Sequence, residues 1–407
     1  MRKQHVLIAG AGFGGIRAAR QLSKNPHFKV TLISDSAFFR YYPALYATAT
    51  GHTTEESIIP LRDMIGHLKN VTFVQDRLTT VDSKAKTISG ASGTIYSYDT
   101  LIMALGVVTS YFGIEGMAEH SYGIKSPEEI DALKLHLHNS MLGDKQLDSH
   151  YVIVGAGPTG VELAAAMNDY IKQFAGVHNI TPHNVSLQLV EAAPRILPRM
   201  TERSSRLVSK RLKACGVQVR INKRVEKATA EELFVSGKPI KTKTVIWTSG
   251  VTNSPFFEQN AAEFKQSSMR KVAVDPYLQA APSIFVIGDN ATTAYSGMAQ
   301  TALYDADFIA KNLSRQLKGQ PNIPYRPKRP PVVVPVGKYW AIVEWGPFVF
   351  GGILGAVLRR FADLIGYHDL LPLPKALRIW LSSSKKDSRC KFCDEAQASQ
   401  KLTTENI

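Results

Sequence analysis

The sequence predicts an α/β protein in which one strand–glycine turn–helix unit is built twice, followed by a basic, amphipathic C-terminal region. Three observations carry this reading. The stretches HVLIAGAGFGGI, residues 5–16, and VIVGAGPTGVEL, residues 152–163, follow one design about 145 residues apart. Each is answered by a second short apolar strand with an acid at its end, FKVTLIS before Asp35 and VSLQLVEA with Glu191. Lastly, residues 325–391 hold twelve Lys and Arg against four Asp and Glu, more than half of the net charge of +15.

A chain of 407 residues is expected to form two or three domains. With 44% hydrophobic and 20% charged residues it is globular. The charge asks for an anionic partner, with nucleic acid, a membrane surface and a nucleotide cofactor as candidates. The three cysteines, Cys215, Cys390 and Cys393, make no disulfide framework and fit a reducing compartment. The first glycine loop begins at Gly10, so no secretory leader is expected before it. No uninterrupted apolar run reaches the length of a spanning helix, and none is expected.

In the first unit, Gly10-Ala-Gly12-Phe13-Gly14-Gly15 fits G-x-G-x-x-G between a strand and a helix. Gly10 makes the turn, Gly12 lets a pyrophosphate approach the backbone, and Gly15 lets helix and strand pack closely. The helix N-terminus offers free N–H groups and a positive dipole to the phosphates. The strand after it ends at Ser34, so the ribose-binding acid, Asp35, sits one residue late.

The second unit places Gly155, Gly157 and Gly160 in the loop and Thr159 at the start of its helix. Glu191 at the end of the next strand suits the adenine ribose of NADH and repels the 2′-phosphate of NADPH. Arg195 and Arg199 lie nearby in sequence and act against that preference. Both units read as Rossmann-like dinucleotide-binding domains. Two loops imply two nucleotides, one held flavin and one exchangeable nicotinamide.

At this point the residues resemble a family. The chain is similar to the glutathione-reductase-like flavoproteins with two dinucleotide-binding domains, and within them to the type II NADH dehydrogenases. Four stretches carry the resemblance over residues 5–315. PALYATATG from Pro43 is similar to a segment that runs beside the flavin. VIWTSGV, residues 245–251 with Ser249 and Gly250, resembles the second return strand. SIFVIGDNA, with Gly288 and Asp289, resembles the motif whose aspartate holds the ribityl chain. The helix after it, with Ala299 and Gln300, resembles the one at the flavin and quinone pocket. Ser296 is expected to be its N-cap.

The resemblance implies bound FAD, NADH as co-substrate and a quinone as acceptor. Gln300 is expected to contact the quinone. Glu162 is implied to lie near nicotinamide and flavin, positioning NADH or relaying a proton, or else to be an acid stabilised at a helix N-terminus. Some positions depart from the pattern. Leu105 stands where threonine is usual, with Gly106 retained. Tyr304 and Asp305 stand where glutamines are common, and the tail lacks the usual Arg-Asn-Arg cluster.

Cysteine placement separates the alternatives. FFRYYPALY has no thiol where disulfide reductases and flavin peroxidases keep one, and no set suits a sulfide:quinone enzyme. Cys390-Lys-Phe-Cys393 lacks the four ligands of a zinc site, so it reads as exposed tail thiols with no metal expected, the alternative being a pairing across a dimer through a metal or a disulfide.

In the tail, apolar residues at 353, 354, 357, 358, 361, 364 and 365 form one helical stripe, with Arg359, Arg360 and Asp363 on the other face. A second piece, PKALRIWLSSSKK, carries Trp380 among basic residues. This pattern suits a helix lying on an anionic membrane, or one packed on the protein or a second copy. No nucleic-acid motif accompanies the charge, so nucleic acid is not expected.

The expected division is a flavin domain at 1–120 and 255–322, an NADH domain at 121–254, a membrane-associating or dimerising region at 323–391 and a polar tail at 392–407. The expected enzyme moves electrons from NADH through FAD to a quinone without pumping ions, peripherally on the cytoplasmic face of the membrane. Alternatives are a soluble reductase of a protein carrier, a sulfide:quinone-type enzyme and a redox-sensing binder.

Overall fold

A computed structural model of the chain describes residues 2–143, 150–177, 185–267 and 269–383. The first unit forms a six-stranded sheet in the order Gln279–Ala281, Ile284–Val286, Thr100–Met103, Gln4–Ala9, Phe28–Ser34, Val71–Gln75. All neighbours run parallel except the first pair. The chain leaves this sheet after residue 103 and rejoins it at residue 279. A parallel sheet covered on both faces reads as unbroken apolar runs, and Val6, Leu7, Ile8 and Ala9 are all fully buried. The helices Phe13–Leu22 and Ala299–Leu317 pack together in the core on one face.

The second unit is a four-stranded parallel sheet, in the order Val217–Arg220, Ser186–Val190, His150–Val154, Thr244–Trp247. The helix Pro158–Val177 packs Val161, Leu163, Ala164 and Met167 against it. The links between the units run side by side as an antiparallel pair, Val107–Thr109 with Val251–Asn253.

A third part closes the molecule. The strands Val332–Pro335, Ala341–Trp345 and Phe348–Gly352 form an antiparallel meander. Its Val334, Val336, Ile342 and Val349 join the core of the second unit. Tyr367 and Leu370 of the helix Ile353–Leu370, Leu371 just after it and Ala376 of the helix Leu373–Ser382 join the core of the first. Glu344 pins the meander: its carboxylate accepts the Thr201 N–H at 2.9 Å and the Ser204 hydroxyl at 2.9 Å, and pairs with Arg329 at 2.7 Å. Burial alone pushes that carboxyl up, but these donors outweigh it and hold it below its ordinary range.

Of the placements open to the apolar stripe, the helix Ile353–Leu370 does not take the one that packs it on the rest of the protein. Ile353, Leu354, Val357, Phe361 and Ile365 face outward, and Ile353 is 72% exposed. The charged side turns inward, leaving the Arg359 side chain only 14% exposed. Trp380 is not an exposed anchor. It lies half-buried under the Arg360 guanidinium at 4.7 Å and donates to the Arg360 carbonyl. Among the described residues, no helix is long and apolar enough to cross a membrane. Cys390, Cys393 and the polar tail lie outside the described residues.

Candidate functional site

The two glycine loops are superimposable in their physics. Gly10 has φ +101 and Gly155 φ +102, a region that L side chains rarely adopt. A Cβ on Gly15 would collide with the Gly10 carbonyl, and one on Gly160 with the Gly155 carbonyl. A Cβ on Gly12 or Gly157 would meet nothing within 4 Å. Each loop therefore packs tightly at its first and third glycines and stays open at the second. An open backbone there, at a helix N-terminus, is what a pyrophosphate requires.

Around the first loop, Phe13 and Gly14 are buried, and Phe13 packs edge-on against Phe39 at 5.0 Å. Ser34 ends its strand, and Asp35 follows as an exposed acid. Gly106 turns with φ +69 after the central strand and donates its N–H to Asn290 Oδ1 at 2.9 Å. Asn290 also donates to Gly106 O and Asn253 Oδ1, which fastens the return turn to the Gly288–Asn290 helical turn. Sequence reasoning passed over Asn290, although it adjoins the Gly-Asp motif.

Asp289 is half-buried beside Lys271 and Arg199. Burial raises its carboxyl, while Lys271, the Gly297 N–H and Arg199 act to lower it. Ser296 is not the N-cap of the following helix. That helix starts at Ala299 after Met298, with no side-chain cap. Ser296 is committed elsewhere, because its hydroxyl donates to Gly288 O at 2.9 Å and accepts from Lys271 Nζ at 2.7 Å. Ala299 and Gln300 open the helix half-buried. Behind them, Asp305 accepts the Gly288 N–H at 2.9 Å, and burial pushes its carboxyl up to about 6. The Tyr325 hydroxyl lies beside it, short of good hydrogen-bond geometry.

In the second unit, Glu191 Oε1 accepts the Ala193 N–H at 2.8 Å and Oε2 that of Ala156 at 2.7 Å. A carboxylate has about four acceptor positions, so two stay open to a ribose. Arg195 is committed to its own loop, bonding Leu197 O, Met200 O, Pro198 O and Ser205 Oγ. Arg199 reaches across to Ser296 O at 3.5 Å. Neither guanidinium makes a hydrogen bond or ion pair with Glu191 among the described residues. Thr159 is exposed at the helix start, Ser249 closes over Gly155, and Gly250 turns with φ +70.

Glu162 is the fifth residue of its helix, not an N-terminal acid, and it is 7% exposed. It faces Arg359 at 3.4 Å. The same guanidinium bonds Asp363 Oδ2 at 3.0 Å, Pro43 O at 2.8 Å and Val333 O at 3.2 Å. Burial pushes the Glu162 carboxyl up to about 8, against the pull of Arg359. The sequence pattern places Arg359 on the face opposite the apolar stripe and leaves open which face meets the protein. No local signal marks it as a partner of Glu162.

A family model for pyridine nucleotide-disulphide oxidoreductases matches residues 4–306, which span both glycine loops and the Asp289 turn. The chain belongs to this family. Among curated relatives, the type II NADH:quinone oxidoreductase NdhA of Mycobacterium tuberculosis is 28% identical over 403 residues, covering 90% of this chain and 85% of the relative. Among solved structures, that of NDH2 from Plasmodium falciparum in complex with NADH has a TM-score of 0.83 at 18% identity, over 94% of this chain and 97% of the other. The sulfide:quinone oxidoreductase of Aquifex aeolicus has a TM-score of 0.76 at 20% identity, over 95% and 98%. These likenesses show the shared fold. The one described cysteine, Cys215, caps the helix Glu202–Ala214 and lies beside Gly337.

Proposed function

We infer that the protein is an FAD-dependent NADH:quinone oxidoreductase of the type II class, which takes hydride from NADH onto FAD and passes electrons to a quinone without pumping ions. The observation that carries this reading is the pairing of two equivalent open glycine cradles in a chain whose curated relatives are named for that activity. The residues present fit both nucleotides. Gly12 leaves room for the flavin pyrophosphate and Gly157 for that of NADH. Asp35, Asp289 and the backbone after Gly106 serve the flavin, and Glu191 serves the NADH ribose. Bound FAD supplies the two-electron relay. The flavin part comprises 1–120 and 255–322, and the NADH part 121–254.

The overall reaction, NADH + H⁺ + quinone → NAD⁺ + quinol, takes up one proton. Glu162 is suited to hold it, because burial keeps its carboxyl protonated near neutral pH. Ala299 and Gln300 contact the acceptor at the uncapped helix start. Lys271 and Arg199 act on Asp289 as cations, and such cations favour negative charge developing nearby.

An acceptor dissolved in lipid requires the enzyme to rest on lipid. The outward apolar face of the C-terminal helix, with basic Lys375 and Arg378 on the next one, suits an anionic membrane surface. We therefore place the enzyme peripherally on a membrane, with its few cysteines in favour of the cytoplasmic face.

Stopped-flow spectroscopy of the flavin-loaded protein tests the reading. NADH should bleach the flavin band rapidly, NADPH slowly, and a soluble quinone should restore the band. Bleaching without restoration would leave both nucleotide sites standing and sink the quinone assignment in favour of a protein acceptor.

A further inference from the structure

Glu162 is paired with an arginine, Arg359, from the far end of the chain. A guanidinium as enclosed as that of Arg359 is held by several groups, and its placement is specific. It comes from the helix Ile353–Leu370, the element that carries the exposed apolar face. It reaches Glu162 on the helix of the second loop, Pro43 O on the segment assigned to the flavin, and Val333 O on the C-terminal meander. Asp363, one turn along its own helix, fixes Nε, and Asp363 Oδ1 accepts the Tyr41 hydroxyl at 3.2 Å. One side chain thus joins both nucleotide units and the C-terminal region at a single point.

We propose that Arg359 is a positioning residue for this oxidoreductase: it orients the Glu162 carboxyl at the junction of the two nucleotide units and sets the pH at which that carboxyl gives up its proton. The proposal rests on the proton-holding role given to Glu162 above. The charged and titratable groups that face Glu162 are few. Arg359 and Asp363 face it from the helix Ile353–Leu370, and the Tyr46 hydroxyl faces it from the helix Leu45–Ala49. Arg359 favours the ionised carboxylate and Asp363 opposes it. Tyr46 stays neutral, because burial holds its hydroxyl far above its ordinary range. Two neighbours of opposite sign therefore predict opposite effects, which a general loosening of the site does not produce.

The test is the pH dependence of flavin reoxidation by a soluble quinone, measured in the full-length flavin-loaded enzyme. A protonated Glu162 is the active form, so the rate falls as pH rises through its pKa. Arg359→Met should move that falling limb to higher pH by roughly one unit or more. Arg359→Lys, which keeps the charge, should leave it near the wild-type position. Asp363→Asn should move it to lower pH, and it carries the test if the methionine variant fails to retain flavin. Glu162→Gln should abolish the limb. A limb that disappears in Glu162→Gln but stays put in Arg359→Met, or rises in Asp363→Asn, overturns the role of Arg359 alone. A limb that survives Glu162→Gln overturns the role of Glu162 and with it that of Arg359.

Discussion

Glu191 Oε2 accepts the backbone N–H of Ala156 at 2.7 Å, so the acid that follows one strand is tied to the glycine turn that ends its neighbour. The bond holds the carboxylate at the mouth of the second cradle, while Arg195 and Arg199 are engaged elsewhere. Glu191→Gln keeps an acceptor for Ala156 and removes the charge. Hydrogen bonds to charged groups contribute about 1.5–3 kcal/mol, so KM for NADH should rise about tenfold or more. KM for NADPH should fall, and steady-state kinetics with both donors check this. An unchanged ratio of the two donors would remove Glu191 from the NADH site.

Gly157 and Gly160 are three residues apart and should respond oppositely to substitution. A side chain at 157 enters open space, whereas one at 160 strikes the Gly155 carbonyl. Gly157→Val should change stability by only about 0.5 kcal/mol, retain its flavin and lose NADH binding. Gly160→Val should fail to fold. Flavin content, thermal midpoint and NADH titration separate these outcomes. Normal NADH binding in Gly157→Val would show that the open cradle is not the pyrophosphate site.

Asp305 offers a stability test with a definite sign. Its native carboxyl is raised from 3.8 to about 6 by burial. The native state therefore holds this proton more tightly than the unfolded chain, and stability falls as pH rises through that window. Asp305→Asn keeps an acceptor for the Gly288 N–H and removes the titration. Its advantage over wild type should be near zero at about pH 4 and reach on the order of 1–3 kcal/mol at neutral pH. Thermal midpoints of both proteins across this range check it. A constant difference would mean that Asp305 titrates normally.

The outward face of the C-terminal helix separates docking from catalysis. Leu354 and Phe361 are 63% and 52% exposed, and neither belongs to the buried core. Leu354→Glu combined with Phe361→Glu should abolish co-sedimentation with vesicles containing anionic lipid. Reduction of a soluble quinone should remain within about twofold, because no site residue is touched. Retained sedimentation together with loss of a dimer in light scattering would assign the face to a second copy of the chain.

Much of this molecule is legible in local sequence. The strand–glycine–helix units, the Glu191 strand end and the Asp289 turn announce themselves because each is a short-range device. The residues of each glycine unit and its strand-end acid meet within one βαβ unit, with spacing set by backbone geometry, and the Asp289 turn follows directly on its own strand. Ser296 shows where such reasoning stops. Its position fits an N-cap, but the helix starts later, because the Ser296 hydroxyl is engaged by Gly288 and Lys271. A competing partner at Lys271, 25 residues away, outweighed the local preference.

By itself the sequence determined two nucleotide loops, their order, the acid behind the second and an amphipathic helix near the end. Periodicity supplies the angle between the two faces of that helix and nothing about which face turns inward. Only the tertiary structure decided that the charged face turns in, bringing Arg359 to Glu162 across 197 residues while the apolar face points out. The physical reason is that the buried Glu162 and the carbonyls of Pro43 and Val333 supply the partners that a buried guanidinium requires. Those partners come from three separate parts of the chain and meet only in the folded protein.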